Sequence, residues 1–183
     1  MKKLLTLFAA LLLLTNLCFA YDYPRWRSMP IMVYIPEYGD YSRLMKKAFS
    51  TWQAKSKNLV SFRYVKNISQ ADIYVGFVDH VSACNDNNAV GCTTTSTRGG
   101  YYLQNYVEIG TKDVQFIQKD GKLIKKEVPR TPEHIYGVML HEAGHAIGLD
   151  HSNDKNSIMY AYDLDDLQEL TDTDLKLLRN KYN

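Results

Sequence analysis

The stretch His141-Glu142-Ala143-Gly144-His145-Ala146-Ile147-Gly148-Leu149-Asp150-His151 constrains this chain more than any other. Residues four apart on a helix share a face, so His141 and His145 point the same way and can grip one metal ion. Glu142 lies about 100° round the helix from His141, within reach of a water held there. Gly148 is a natural stop, because the left-handed C′ conformation is cheap only for glycine. The turn there swings the chain back and brings in His151 as a third ligand. Three neutral imidazoles with one open position form the pattern of a catalytic zinc site, as opposed to a closed four-ligand structural one. Thr131 as N-cap and Pro132 as first helical residue predict a helix over 132–147. Its other face, with Tyr136, Met139, Ala143, Ala146 and Ile147, reads as core. Ordinary surface histidines account for an isolated pair. They account poorly for three His, an adjacent Glu and a Gly at the required offsets.

Beyond His151 comes Ser157-Ile158-Met159-Tyr160. The pattern His-Glu-x-x-His-x-x-Gly-x-x-His followed by such a Met-turn resembles the metzincin metallopeptidases. The stretch from His151 to Tyr160 is similar to their matrixin branch. That resemblance implies that Met159 forms an apolar floor beneath the metal. It also implies an α+β zincin domain: a twisted mixed sheet with an edge strand over the cleft, a backing helix, an active-site helix, and a last helix after the Met-turn. Ala161 stands where matrixins carry Pro.

Residues 1–20 read as a signal peptide of bacterial style, outside the fold. Lys2 and Lys3 precede the apolar run Leu4 to Leu14, and Cys18-Phe19-Ala20 is a small-x-small cleavage site. The run is short for a membrane span. A lipidated Cys18 is disfavoured by Thr15-Asn16-Leu17. Residues 21–183 are enough for one domain with its own core, read as the catalytic domain. Without Lys2 and Lys3 the chain's 22 basic residues fall to 20, against 20 acidic. This balance gives no field for nucleic acid or for a membrane as partner. A monomer secreted or periplasmic after processing is expected. Cys84 and Cys92 should pair in an oxidising compartment. Two free buried thiols, or a zinc role at an unusual spacing, are the competing readings.

In chain order, the alternation of Ile31, Val33 and Ile35 predicts a strand over 30–35. Leu44, Met45, Ala48, Phe49 and Trp52 mark one face of a helix over 41–55. Val60, Phe62 and Tyr64, then Ile73, Val75 and Phe77, alternate as two further strands. This order suggests a mixed sheet with a crossover helix. Trp26 to Tyr34, Ala48 to Trp52 and Ala71 to Phe77 extend the likeness to matrixins.

From 79 to 130 the chain departs from them. Matrixins place a structural zinc and calcium ions in this region. Here His80 is alone, so no second zinc is expected. Asp79, Asp86 and neighbouring asparagines are the candidate calcium ligands, against a solvated polar loop. Gly91 to Ser96 reads as an exposed edge strand able to hold an extended peptide, and Tyr106 to Gly110 as an inner one. Asp120-Gly121 reads as a two-residue hairpin turn, at the cleft border or as a plain surface ribbon. Thr171 caps a last helix over 172–181, with Asp172 and Asp174 in its first turn. His134, two turns before His141, reads as an N-terminal polar residue.

The function expected is a zinc-dependent endopeptidase acting on proteins or peptides, with Glu142 as general base. The alternatives are a narrow peptidase on cell-wall peptides or one dedicated partner, and a non-enzymatic zinc-binding module. Few residues separate Ala20 from the first strand. No inhibitory prosegment is therefore expected, with zinc capture after export as the safeguard.

Overall fold

The computed structural model describes residues 24–84, 86, 88–119, 121–162 and 169–182. Residues 1–20, read above as a signal peptide, and Asp120 lie outside the described residues. The elements run β1 (Ile31–Tyr34), α1 (Asp40–Lys55), β2 (Phe62–Val65), β3 (Ile73–Val78), β4 (Gly91–Arg98), β5 (Tyr101–Gly110), β6 (Lys112–Lys119), β7 (Lys122–Pro129), α2 (Pro132–Ala146) and α3 (Asp172–Tyr182). A short 3-10 turn, Ile68–Gln70, precedes β3.

Five strands form one sheet in the order β2-β1-β3-β5-β4. The first four pair in parallel, and β4 runs antiparallel to β5. This is the mixed α+β architecture anticipated from the alternating strands and the crossover helix. Parallel neighbours need such a crossover, and α1 supplies it between β1 and β2. β4 closes one end of the sheet, so among the described residues its outer edge has no strand partner.

One core joins sheet and helices. Phe49, Met45 and Trp52 of α1 meet Ile31, Val33 and Ile73 of the sheet, and Ile135, Met139 and Leu140 of α2. Trp52 is fully buried, as its helical spacing with Ala48 and Phe49 implied. Its indole N–H donates to the Leu140 carbonyl at 2.9 Å, tying α1 to α2.

Two expectations need correction. β2 begins at Phe62, so Val60, although fully buried, lies before the strand and not in it. Tyr64 stays in the strand at the end of the sheet, exposed, with its hydroxyl donating to the Lys46 carbonyl on α1. β5 begins at Tyr101 and not at Tyr106. Gly99 and Gly100 both take positive φ, 58° and 77°, making the two-residue turn that pairs Arg98 with Tyr101.

β6 and β7 form a separate two-stranded ribbon in register from Lys112↔Pro129 to Lys119↔Lys122. Gly121, in the expected turn, has φ 74°, and its expected partner Asp120 lies outside the described residues.

Candidate metal centre

The histidine helix is fixed at both ends. At its start the Thr131 hydroxyl accepts from the His134 N–H at 3.3 Å. At its end Gly148 adopts φ 98°, the left-handed stop expected there. A helix leaves its last carbonyls unpaired. Here side chains from three distant segments take them. Trp26 Nε1 and Asn105 Nδ2 each donate to the Ala146 carbonyl at 2.9 Å. The Tyr182 hydroxyl donates to the Ile147 carbonyl at 2.8 Å.

The structure brings His141, His145 and His151 together, with one ring nitrogen of each within 4.8 Å of the others. The His141 Nδ1 lies 2.6 Å from the Ile158 carbonyl, and the His145 Nδ1 lies 2.7 Å from the Leu149 carbonyl. A carbonyl only accepts, so each Nδ1 carries its proton and each neutral ring keeps a lone pair on Nε2. Those two Nε2 atoms face each other at 2.9 Å. Two lone pairs at that separation repel unless a cation sits beside them. This donor set fits zinc: neutral imidazoles, outer nitrogens anchored to carbonyls, a third His alongside.

Burial keeps the two helical rings neutral. It is the first cause pushing His141 down to about 3, with the charge of His145 adding to it. It likewise pushes His145 down to about 4. His151 is exposed at the mouth of the cleft.

Glu142 is buried beside the triad, and desolvation pushes its carboxyl up to about 7. The Thr93 hydroxyl on β4 donates to its Oε2 at 2.6 Å and opposes that rise. Gly91, also on β4, makes room for it. A Cβ there would stand 2.5 Å from Glu142 Cγ and 2.7 Å from Oε1. Sequence reasoning missed both residues. Their sequence positions carry no periodic signal, because only the strand's approach to α2 gives them a role.

Met159 is fully buried under the helix, its sulfur against Gly144. A Cβ at Gly144 would lie 2.3 Å from the Met159 Sδ. The Met-turn is pinned from α3 by Asp174. This buried carboxylate accepts from the Ser157 hydroxyl, from the Ile158 N–H at 3.2 Å and from the Thr171 N–H at 2.7 Å. Asp174 was expected to do no more than favour the first turn of its helix. Thr171-x-x-Asp174 is a capping-box pattern, which signals the bond to Thr171 but not the reach to Ser157.

Cys84 and Cys92 form a disulfide with Cα atoms 5.9 Å apart. It stiffens the loop leading into β4 and lies along one wall of the cleft. Among the described candidate calcium ligands Asp79 and Asp86 have other partners, while Asn85 and Asn87 lie outside the described residues. Asp79 pairs with the Lys112 ammonium at 2.6 Å, and Asp86 accepts from the Asn88 N–H at 2.9 Å. His80 contacts Glu127 at 3.0 Å. Among the described residues the histidine triad is the one cluster of metal-type ligands. His134 is half-buried, 3.2 Å from Arg130, and borders the cleft.

The cleft, about 970 Å3, runs between β4 and α2 past the triad and out to Ala161 and Tyr162. Among known proteins, the chain is 32% identical over 134 residues to a matrix metalloproteinase homologue of Trichoplusia ni ascovirus 2c, covering 67% of this chain and 26% of that protein. A counterpart from Heliothis virescens ascovirus 3e is 30% identical over 125 residues, 63% of this chain and 24% of the other. Matrix metalloproteinase-A of Caenorhabditis elegans is 42% identical over 48 residues, 26% of this chain and 9% of the relative. The chain thus spans about a quarter or less of the length of these curated relatives. The Matrixin family model matches residues 35–183. With its five-stranded mixed sheet, its histidine triad and that match over most of its length, the chain belongs to the matrixin family.

Proposed function

We propose that this chain is a zinc-dependent endopeptidase that works outside the cytoplasm on protein or peptide substrates. One observation carries the reading: a buried carboxylate, Glu142, shares a cleft with three converging imidazoles beneath an unpaired strand edge. His141, His145 and His151 would hold the zinc. When bound, zinc supplies a Lewis acid that activates a water nucleophile and stabilises charge on a carbonyl oxygen.

The protein's own groups do the rest. The free edge of β4 takes the substrate backbone as an added extended strand. Glu142 Oε1, the oxygen that Thr93 does not hold, accepts the proton of the attacking water and delivers it to the leaving amine. The Thr93 hydroxyl holds the other oxygen in place. The Ile158 and Leu149 carbonyls fix the ring planes of His141 and His145. Met159 and Trp52 close the underside of the helix to water. Disulfide-bonded Cys84 and Cys92, together with the signal-like segment 1–20, support export.

The test is Glu142→Gln, which keeps size and removes the proton acceptor. Zinc content should be retained while hydrolysis of a peptide library falls at least ~10²-fold. Turnover that survives with zinc in place would remove Glu142 as the base. His145→Ala should lower zinc content and turnover together.

A further inference from the structure

The β6–β7 ribbon serves no purpose in the cleft so far described, and its composition is unusual for a solvent-exposed element. Every described residue from 115 to 127 is exposed. Phe116 is 69% and Leu123 76% exposed; Ile117 and Ile124 are 39% and 41%. Directly opposed residues of an antiparallel pair share a face, and successive residues alternate. The register pairs Ile117 with Ile124, and Gln118 with Leu123. Phe116 and Leu123 therefore lie on one face and the two isoleucines on the other. Each face thus shows two exposed apolar side chains set among lysines and glutamines.

The charges point the same way. Residues 115–126 contain Lys119, Lys122, Lys125 and Lys126 against one acid, Asp120. Lys119 sits directly opposite Lys122. Like charges so placed destabilise a hairpin, and an anionic partner offsets that cost. The even balance of the whole chain conceals this local excess.

We infer that the outer half of the β6–β7 ribbon docks on an anionic membrane surface. A protein groove would cover one face of a ribbon, whereas an interfacial layer surrounds its tip and receives apolar side chains from both faces. The long lysine stems let ammonium groups reach headgroups while Phe116, Leu123, Ile117 and Ile124 sink among the first acyl carbons. The immersion is shallow, because a two-stranded ribbon has unpaired edge groups that hydrocarbon would leave unsatisfied. The root is held firmly. Lys112 bonds to Asp79, Glu127 to His80, and the Arg130 N–H donates to the Thr111 carbonyl at 3.0 Å. Arg130 in turn contacts His134 at the border of the cleft. Docking by the tip thus ties the cleft to the lipid surface. The inference stands apart from the peptidase reading, since it needs no zinc and no turnover.

The experiment is co-sedimentation of the mature chain with large vesicles of phosphatidylglycerol and phosphatidylcholine, against phosphatidylcholine alone. Three proteins are compared: wild type, a charge variant (Lys119, Lys122, Lys125 and Lys126→Gln) and an apolar variant (Phe116→Ser with Leu123→Ser). Wild type should bind the anionic vesicles and not the neutral ones, less so at high salt. The charge variant should lose at least ~10-fold in affinity, as expected for four lysines near an anionic surface. The apolar variant should weaken binding as well, with peptide hydrolysis and circular dichroism unchanged in both. Absence of binding to anionic vesicles, or binding undiminished in the charge variant, would overturn the inference. So would equally tight binding to soluble polyglutamate with no effect of the apolar substitutions, which would reassign the ribbon to an acidic protein partner.

Discussion

The Thr93 hydroxyl and the Glu142 carboxylate are 2.6 Å apart, donor to acceptor, across the gap between β4 and α2. The pair sets a measurable pH signature in the metal-free chain. Burial lifts Glu142 from 4.5 to about 7, so its contribution to stability is fully present below pH 4.5 and is lost as pH rises through about 7. His141 and His145 run the opposite way. Their folded values of about 3 and about 4 lie below 6.5, so their contribution is present above pH 6.5 and is lost as pH falls through those values. Glu142→Gln removes only the first effect. After chelation, the variant should melt above the wild type at pH 8, by on the order of 3 kcal/mol at most. The gap should shrink steadily toward pH 4.5. Calorimetry over that range decides it, and a constant gap would mean that the carboxylate is not desolvated.

Gly91 is required for close approach. Its backbone comes so near Glu142 that a methyl group would meet Cγ and Oε1 at 2.5 and 2.7 Å, and Val138 Cγ1 at 2.8 Å. Gly91→Ala must push β4 away from α2 or turn the carboxylate. Either shift breaks the Thr93 contact and misplaces the proposed base. Turnover should fall ~10²-fold, the scale of a misplacement of about 1 Å. The Cys84–Cys92 bridge and zinc content should be kept. Wild-type turnover in a correctly bridged variant would show that the strand has slack.

Asp174 links the last helix to the metal centre. It accepts from Ser157 and Ile158, and the Ile158 carbonyl in turn holds the His141 ring. Asp174→Ala leaves buried donors at Ser157 and Ile158, and a part-buried one at Thr171, without their partner. Hydrogen bonds to a buried charge run at about 1.5–3 kcal/mol each. A loss of at least ~2 kcal/mol is expected even after relaxation. Zinc affinity should drop too, although Asp174 touches no histidine. Denaturant melts and zinc competition on the same protein measure both, and unchanged zinc affinity would sever the proposed link.

What was legible in the sequence follows the range of the forces involved. The histidine helix, its Thr131 cap and its Gly148 stop are local signals, with offsets fixed by helical geometry, and they stand where the sequence puts them. The core face of α1 follows from its 3.6-residue period. Thr93, Gly91 and the longer reach of Asp174 depend on which strand lies beside which helix, and no spacing along the chain encodes that. Val60 misleads for a related reason: it alternates with Phe62 and Tyr64, but pairing with β1 begins only at Phe62, and alternation does not mark where pairing starts. The hairpin around Asp120-Gly121 was readable, with the cleft border and a plain surface ribbon as its two readings. Phe116, Ile117, Leu123 and Ile124 did not decide between them, because apolar ribbon residues suit a packed border as well, and their exposure depends on what lies beside the ribbon in space.

Gly144 and Met159 form a matched pair of small and large. The methionine sulfur occupies the place where a Cβ on residue 144 would lie, at 2.3 Å, with Trp52 Cζ2 next at 3.0 Å. Gly144→Ala therefore overpacks the floor of the site even though alanine is the better helix former. Overpacking of this kind costs about 1–3 kcal/mol, against a helix-propensity gain of about 1 kcal/mol. The net change should be destabilising, and the helix should lift away from Met159 with loss of zinc affinity. Met159→Val alone removes the sulfur and opens a cavity, also at a cost. Together the two changes should cost less than the sum of the singles, because the new methyl enters space that the sulfur has vacated. Relief should be partial, since Trp52 still crowds the position. Thermal melts and zinc competition for the four proteins of the cycle provide the measurement. Strict additivity would show that the sulfur does not fill the glycine's vacant side and that the floor yields elsewhere.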